Sequence, residues 1–231
     1  MRTVIVGDVH GCGEELDRLL AHVGFGAGDR LVLVGDLVAR GPEPRRVFDL
    51  VRAHGGRAVR GNHEDKLLRW RASRARGEAK PLGPAHRETA RTMRERDWAF
   101  LAGLPLWIDL PEHGVRVVHA GVVPGVPVER QAPRTLMFVR CLGPANEPVE
   151  QRDGGVGPWA ARWEGPPHVV FGHNALGDPQ VHPWATGIDT GCVYGGRLTA
   201  MVLRAGERPP PAAERLAALV SVPARRAYFP R

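Results

Sequence analysis

Several things are scarce in this chain. Its 231 residues include only three cysteines, Cys12, Cys141 and Cys192, with no close-paired spacing. So odd and sparse a set excludes a disulfide framework and fits a reducing cytoplasm, where the protein is expected to work. No apolar run approaches the length of a membrane span, so no membrane association is expected. The opening Met1-Arg2-Thr3 leads into just Val4, Ile5 and Val6 before Gly7-Asp8, and reads as a first strand rather than a signal peptide. Lysine is nearly missing: Lys66 and Lys80 stand alone, and arginine supplies the rest of the basic side of a +7 net charge. A basic surface favours an anionic partner, a nucleotide or nucleic acid. Arginine beside abundant Ala, Gly and Pro equally reads as compositional bias.

What is present is a recurring grammar. Apolar, strand-like runs end repeatedly in a residue that can hold a metal: VIVGDVHG from Val4, LVLVGDLVARG from Leu31, AVRGNHE from Ala58, VRVVHAG from Val115 and HVVFGH from His168. A β/α fold gathers the loops at the carboxyl ends of its strands, and sites are built there. Asp8, His10, Asp36, Asn62, His119 and His173 are thereby candidates to converge. This mixed oxygen and nitrogen set is enough for two divalent ions sharing one carboxylate. It suits manganese, the expected ion, or iron, cobalt or zinc better than calcium. Two such ions draw phosphate oxygens and lower the pKa of a bound water, which points to phosphoester or phosphoanhydride hydrolysis.

The rest of the chain supplies the frame. A 43% apolar content supports one sizeable domain. Strands are expected at Thr3 to Val6, Arg30 to Val34 and Arg57 to Arg60, with helices between them at Glu14 to Val23 and Pro44 to His54. That alternation predicts a parallel sheet with right-handed crossovers. A helix from Glu64 to Arg76, a break from Gly77 to Pro84 and a second helix from His86 to Leu101 read as an insertion, a cap or a solvated surface pair. Leu106 to Leu110 and Val115 to Ala120 form a hairpin; Val169 to Phe171 and Leu198 to Leu203 are further strands. Gly143 to Pro167 reads as a long loop at the site mouth. Residues Glu214 to Leu219 can form a short helix, and Arg225 to Arg231 read as disordered.

Roles can be assigned from spacing. Asp8 and His10 lie two apart after a buried strand, so in extended backbone both face one ion. Asp36, with two carboxylate oxygens, is the natural bridge. Arg40 follows it by four residues and can clamp a phosphate through its planar fork. His63 adjoins Asn62 and is the candidate acid for the leaving oxygen. The other histidines, His22, His54, His86, His113, His168 and His182, read as structural or surface residues, and Cys12 as packing. Tyr194, Trp159 and Trp163 can stack on a base or serve as structural aromatics.

At GDVHGC (Gly7 to Cys12), GDLVARGP (Gly35 to Pro42), GNHE (Gly61 to Glu64) and DTGCVYGGRLTA (Asp189 to Ala200) the chain resembles the calcineurin-like metallophosphoesterases. Within them it is similar to the phosphoprotein phosphatase branch, and there to the symmetrical diadenosine tetraphosphatases. The resemblance implies an α/β fold, a four-layer αββα sandwich of two mixed sheets flanked by helices. It implies a catalytic domain over residues 1–206 with a helical insertion at about 64–101, and a Pro/Arg-rich tail over 207–231. One ion would be held by Asp8, His10 and Asp36, the other by Asp36, Asn62, His119 and His173. Arg40 and Arg140 would bind phosphate, and His63 would donate the proton. The implied reaction is cleavage of diadenosine tetraphosphate to two ADP, with other dinucleoside polyphosphates and nucleoside-tetraphosphate RNA caps as further substrates; no stable protein partner is implied. Ala39 stands where protein phosphatases of this branch carry the Asp that orients the catalytic His, which favours the tetraphosphatases. Glu64 is the protein-phosphatase form, and the chain is short for the tetraphosphatase, so a more open site is expected. The alternatives are a Ser/Thr/Tyr phosphoprotein phosphatase on the same core and a non-catalytic, metal-dependent nucleotide sensor.

Overall fold

The computed structural model describes residues 1–231 except 79, 80, 152, 154 and 231. The first part alternates strand and helix: β1 (Arg2–Val6), α1 (Gly13–His22), β2 (Arg30–Leu33), α2 (Pro44–Ala53), β3 (Arg57–Ala58) and α3 (Asn62–Ala75). Then come α4 (Pro84–Thr92), α5 (Glu95–Ala102) and the hairpin of β4 (Trp107–Leu110) and β5 (Val115–Val118). Helix α6 (Pro133–Phe138) precedes three very short strands, β6 (Cys141–Leu142), β7 (Pro148–Val149) and β8 (Gly157–Pro158). The last part holds β9 (His168–Phe171), β10 (Gln180–Val181), β11 (Ala185–Gly187), β12 (Arg197–Arg204) and β13 (Leu219–Pro223).

Strand alternation sorts these residues into layers. One mixed sheet has the order β13-β12-β1-β2-β3, the other β10-β11-β9-β5-β4. Ile5, Val32, Val34 and Met201 of the first meet Ile108, Val115, Val117 and Val170 of the second in the dry space between them. Their neighbours Val4, Val6, Leu31 and Leu33 point the other way, as a period of two requires. They pack on Leu16 and Leu19 of α1 and on Val47, Phe48 and Val51 of α2. Each helix buries the stripe its i, i+3, i+4 spacing creates. Outside the second sheet, Val169, Phe171 and Ala185 pack on Leu136 of α6 and on Trp159. The αββα order is therefore present, with its fourth layer built from α6, a 3-10 turn at Trp159–Ala161 and the small sheet β7-β6-β8.

This topology gathers the loops. β1, β2 and β3 run parallel, as do β5, β9 and β11. Every segment of the strand-end grammar thus opens on the same edge of the sandwich. No helix among the described residues is long and apolar enough to cross a membrane.

Three expectations change. The helix read from His86 to Leu101 is two, because Asp97 accepts the Arg94 backbone N–H at 2.8 Å and starts α5 afresh. The stretch Gly143 to Pro167 is not a loop at the mouth. It forms the small sheet, and Trp159 is fully buried with its Nε1–H donating to the Ala120 carbonyl at 2.9 Å. Trp163 is likewise turned inward on the Pro167 carbonyl, at 2.9 Å. Residues 152 and 154 of that stretch, and 79 and 80 of the expected break, lie outside the described residues. Finally, the chain after residue 206 does not trail off. β13 pairs antiparallel with β12, and Tyr228 and Phe229 pack against the core under α1. The alternating Val220-Ser221-Val222 was a strand signal hidden between proline and arginine flanks.

Arg215 secures this last segment to the second sheet. It is 1% exposed, yet its charge is met by neutral acceptors: the Pro210 carbonyl at 2.5 Å, Thr186 Oγ1 at 2.6 Å and His168 Nε2 at 2.7 Å. Burial lowers its pKa, and the guanidinium pushes His168 down to about 3 in addition to burial. Arg215→Leu should cost roughly 1.5–3 kcal/mol, the range for a lost hydrogen-bonded charge. Urea denaturation followed by tryptophan fluorescence checks this; a loss under about 0.5 kcal/mol would mean the segment is held by other contacts.

Candidate metal centre

The site is built on the loops that follow β1, β2, β3, β5 and β9. Asp36 stands at its middle. Its Oδ2 lies 3.4 Å from His119 Nε2, 3.6 Å from His10 Nε2 and 3.9 Å from His63 Nε2. Its Oδ1 accepts the His63 backbone N–H at 3.0 Å, so the same carboxylate caps α3. Two clusters of potential ligand atoms result, His10–Asp36–His63 and Asp36–His119–His173, and Asp36 belongs to both. Asn62 Oδ1 lies 2.9 Å from both His119 Nε2 and His173 Nδ1. Asp8 sits one layer deeper, its carboxylate accepting the His173 backbone N–H at 3.0 Å. Arg40 and Arg140 line the same chamber of about 450 Å³. The structure thus brings together all nine residues singled out from the sequence.

The local backbone is unusual, and the reasoning for Asp8 and His10 changes with it. They do not share a face through extended backbone. His10 has φ 49°, and Asp36 (47°), Ala39 (67°), Arg40 (74°) and His173 (66°) are also in the left-handed region. Such conformations cost of order 1 kcal/mol or more each and persist where the surroundings fix them. Two close approaches require glycine. A Cβ on Gly172 would collide with the Asp8 carboxylate, and one on Gly61 with that of Asp36.

Two of the imidazoles are aimed by backbone carbonyls. His10 Nδ1 donates to the Val38 carbonyl at 3.1 Å, and His119 Nδ1 to the Val34 carbonyl at 2.9 Å. Each leaves Nε2 facing the centre, the arrangement in which a second partner fixes tautomer and aim for a metal ligand. Burial, then Arg40, pushes His10 down to about 4, against the pull of Asp36. Burial also lowers His63 and His173 well below the usual histidine range. Burial opposes charge on His119, but Asp36 outweighs it and raises that pKa. Burial would raise Asp36 too; His119, His63 and His10 outweigh it and hold the carboxylate well below its ordinary value.

These donors fit divalent cations. Asp8 and Asp189 are both buried; burial raises Asp8 well above its ordinary value and Asp189 to about 6. Buried carboxyl groups held above their ordinary range, beside the Asp36 carboxylate and a set of imidazoles, form a site that a cation relieves.

Four residues at the site were missed or misread. Glu64 was seen only as part of GNHE. Its Oε2 accepts the backbone N–H groups of Asp36 and Gly61, both at 2.9 Å. Its Oε1 accepts those of Leu37 at 2.9 Å and Val38 at 3.2 Å. Asp189 follows β11 in the same strand-end grammar, and Ala185-Thr186-Gly187-Ile188-Asp189 could have signalled it. His86, read as structural or surface, stacks on His63 with ring centroids 4.8 Å apart. Phe229 lies beside Arg40, which is held between the rings of Tyr194 and Phe229, at 5.5 and 5.7 Å. Neither had a sequence signal, because both come from distant segments.

Glu64→Gln keeps the shape but turns an NH₂ group toward two of the four donors. Stability should fall by roughly 2–4 kcal/mol, from buried N–H groups left without an acceptor. Urea denaturation is the measurement, and wild-type stability would remove Glu64 from this role.

Comparisons with known proteins agree with this geometry. Residues 1–211 match the family described as calcineurin-like phosphoesterase. A relative from Geobacillus thermodenitrificans, named bis(5'-nucleosyl)-tetraphosphatase PrpE, asymmetrical, is 31% identical over 87% of this chain and 90% of its own. A crystal structure of a putative diadenosine tetraphosphatase superposes with a TM-score of 0.82 at 37% identity, over 96% of this chain and 93% of that one. A protein serine/threonine phosphatase from Saccharomyces cerevisiae shares the fold, with a TM-score of 0.60 at 16% identity over 97% of this chain and 79% of its own. The chain belongs to the calcineurin-like phosphoesterase family.

Proposed function

We propose that the protein is a metal-dependent hydrolase of dinucleoside polyphosphates, with diadenosine tetraphosphate as its substrate. The observation that carries this reading is the pair of ligand clusters sharing Asp36 in a chamber that also holds Arg40 and Arg140. Asp8, His10 and Asp36 would hold one ion and Asp36, Asn62, His119 and His173 the other, and the pair would supply charge to draw phosphate and to acidify a water. Manganese is the expected ion, and cobalt, iron or zinc suit the same donors. Three buried free thiols fit work in a reducing cytoplasm.

The chain's own groups then divide the work. Arg40 and Arg140 grip the phosphate oxygens. Arg140 is steered by Asn174, whose Oδ1 accepts from it at 2.7 Å. His63 protonates the departing oxygen. Its Nδ1 is buried without a hydrogen-bond partner among the described residues, in keeping with Ala39 in place of the Asp that protein phosphatases carry. Ring contacts aim it instead: His86 stacked on one side and His10 edge-on at 4.7 Å.

The cleavage point is a finer matter. The sequence motifs favoured two ADP. The name of the Geobacillus relative favours asymmetric cleavage, to AMP and ATP, and AMP and ATP are the products expected of this protein. Which phosphorus is attacked depends on how many phosphates lie beyond the two ions.

Ion-exchange chromatography of a reaction with diadenosine tetraphosphate and manganese should show AMP and ATP as initial products. Two ADP would restore symmetric cleavage. No turnover beside brisk phosphopeptide hydrolysis would hand the case to the phosphoprotein phosphatase alternative, and neither activity to the nucleotide sensor. Chelation should abolish turnover. His63→Ala should lose about 10²- to 10⁴-fold on the dinucleotide and much less on p-nitrophenyl phosphate, whose leaving group needs no proton. Equal losses on both would argue against the proton-donor role.

A further inference from the structure

Helix α3 leaves the metal centre as a polar rail. Asn62, Asp65, Lys66 and Arg69 follow i, i+3, i+4 and i+7, so they share one face. All four line a second chamber of about 650 Å³. At 1.5 Å of rise per residue, Lys66 lies roughly 6 Å and Arg69 roughly 10 Å along the axis from Asn62. Arg69 is paired with Asp65 at 2.5 Å. Lys66 is exposed and makes no ion pair among the described residues. Across from the rail stand Ala85 and His86 at the start of α4, with the rings of Phe138 and Phe229.

The two chambers are continuous. Arg40, Asn62, His63 and Phe229 line both. Phe229 is a fixed wall and not a loose end. The backbone N–H groups of Tyr228 and Phe229 donate to the Val193 carbonyl at 2.9 and 3.1 Å, and the Tyr228 hydroxyl donates to Glu15 Oε1 at 2.9 Å. The rings stand at the metal end of the rail, Phe229 5.7 Å from the Arg40 guanidinium and Phe138 6.3 Å from the His173 ring, and Lys66 and Arg69 continue outward from there. Cations that extend outward from a phosphate site suit an anionic chain leaving it.

Resting on the proposed hydrolysis, we infer that this side chamber seats the departing adenine nucleotide, its phosphates drawn along Lys66 and Arg69. His63 sets the direction. It stands at the boundary of both chambers, and the oxygen it protonates belongs to the group that leaves. The bridging P–O bond breaks, its electron pair stays on the departing oxygen, and His63 supplies the proton there. Water supplies the hydroxyl to the phosphorus left at the metal centre, and the proton it gives up replaces the one His63 donated. The length of the rail then sets how many phosphates depart with the nucleotide.

Two variants test this in the manganese-loaded protein. Lys66→Glu reverses an exposed charge, and Ala85→Trp fills the chamber from its far wall. Titration calorimetry with ADP and with ATP should show binding weakened about tenfold in each variant, as for a reversed or blocked contact to phosphate. The ratio of kcat/KM for diadenosine tetraphosphate to that for p-nitrophenyl phosphate should fall by a similar factor. Wild-type nucleotide affinity in both variants would overturn the proposal. Weakened nucleotide binding in a protein whose wild type does not hydrolyse the dinucleotide would keep the chamber and remove the substrate reading. Wild-type turnover with an unaltered ratio in both variants would do the reverse.

Discussion

One buried carboxylate accepts four backbone N–H groups, and the site rests on it. Glu64 reaches from the first turn of α3 to the loop after β2, binding Asp36, Leu37 and Val38 while closing on Gly61 at its own helix start. That loop has no ladder or helix to satisfy its donors. Without an acceptor those N–H groups would be buried and unpaired, a penalty of about 1–3 kcal/mol each. With it, the loop is held in the left-handed turn that aims Asp36 inward. Burial, with Asp36 next to it, pushes Glu64 up to about 7, so the hydrogen bonds are made against an electrostatic cost. Divalent cations nearby would reduce that cost.

The same trade recurs across the centre. Asp8, Asp36, Glu64 and Asp189 are all buried at the same edge of the sandwich, where, among the described residues, imidazoles and two arginines oppose them. Strained backbone and clustered carboxylates are stability given up locally. The dry space between two five-stranded sheets supplies what offsets it. The rigid part of the molecule is therefore the part without chemistry, and the loops at its edge hold geometry they could not hold alone.

His63, the proposed proton donor, has no hydrogen-bond partner on its Nδ1 among the described residues. Its ring is packed instead by His86, stacked on it, and by His10, edge-on. His86 arrives from α4, so the helical insertion is part of the site wall. Phe229 arrives from the last residues, so the end of the chain is part of it too. Both segments looked peripheral, and both border the space between the metal chamber and its neighbour.

The sequence by itself determined the strand-end grammar, and through it the α/β class and eight of the nine residues that meet at the centre; Arg140 and the four-layer order came from the family resemblance. Each of the eight lies within a few residues of a buried strand, so short-range pattern was enough to place it. Tertiary structure decided the rest. The partners of Glu64 are backbone groups and carry no side-chain signal. The stacking of His86 on His63 joins residues 63 and 86 through the packing of α3 and α4. Arg215, Tyr228 and Phe229 acquire their roles only because β13 adds to the edge of a sheet begun at residue 2. Local pattern is set by neighbours in the chain; these contacts are set by which surfaces the folded layers bring face to face.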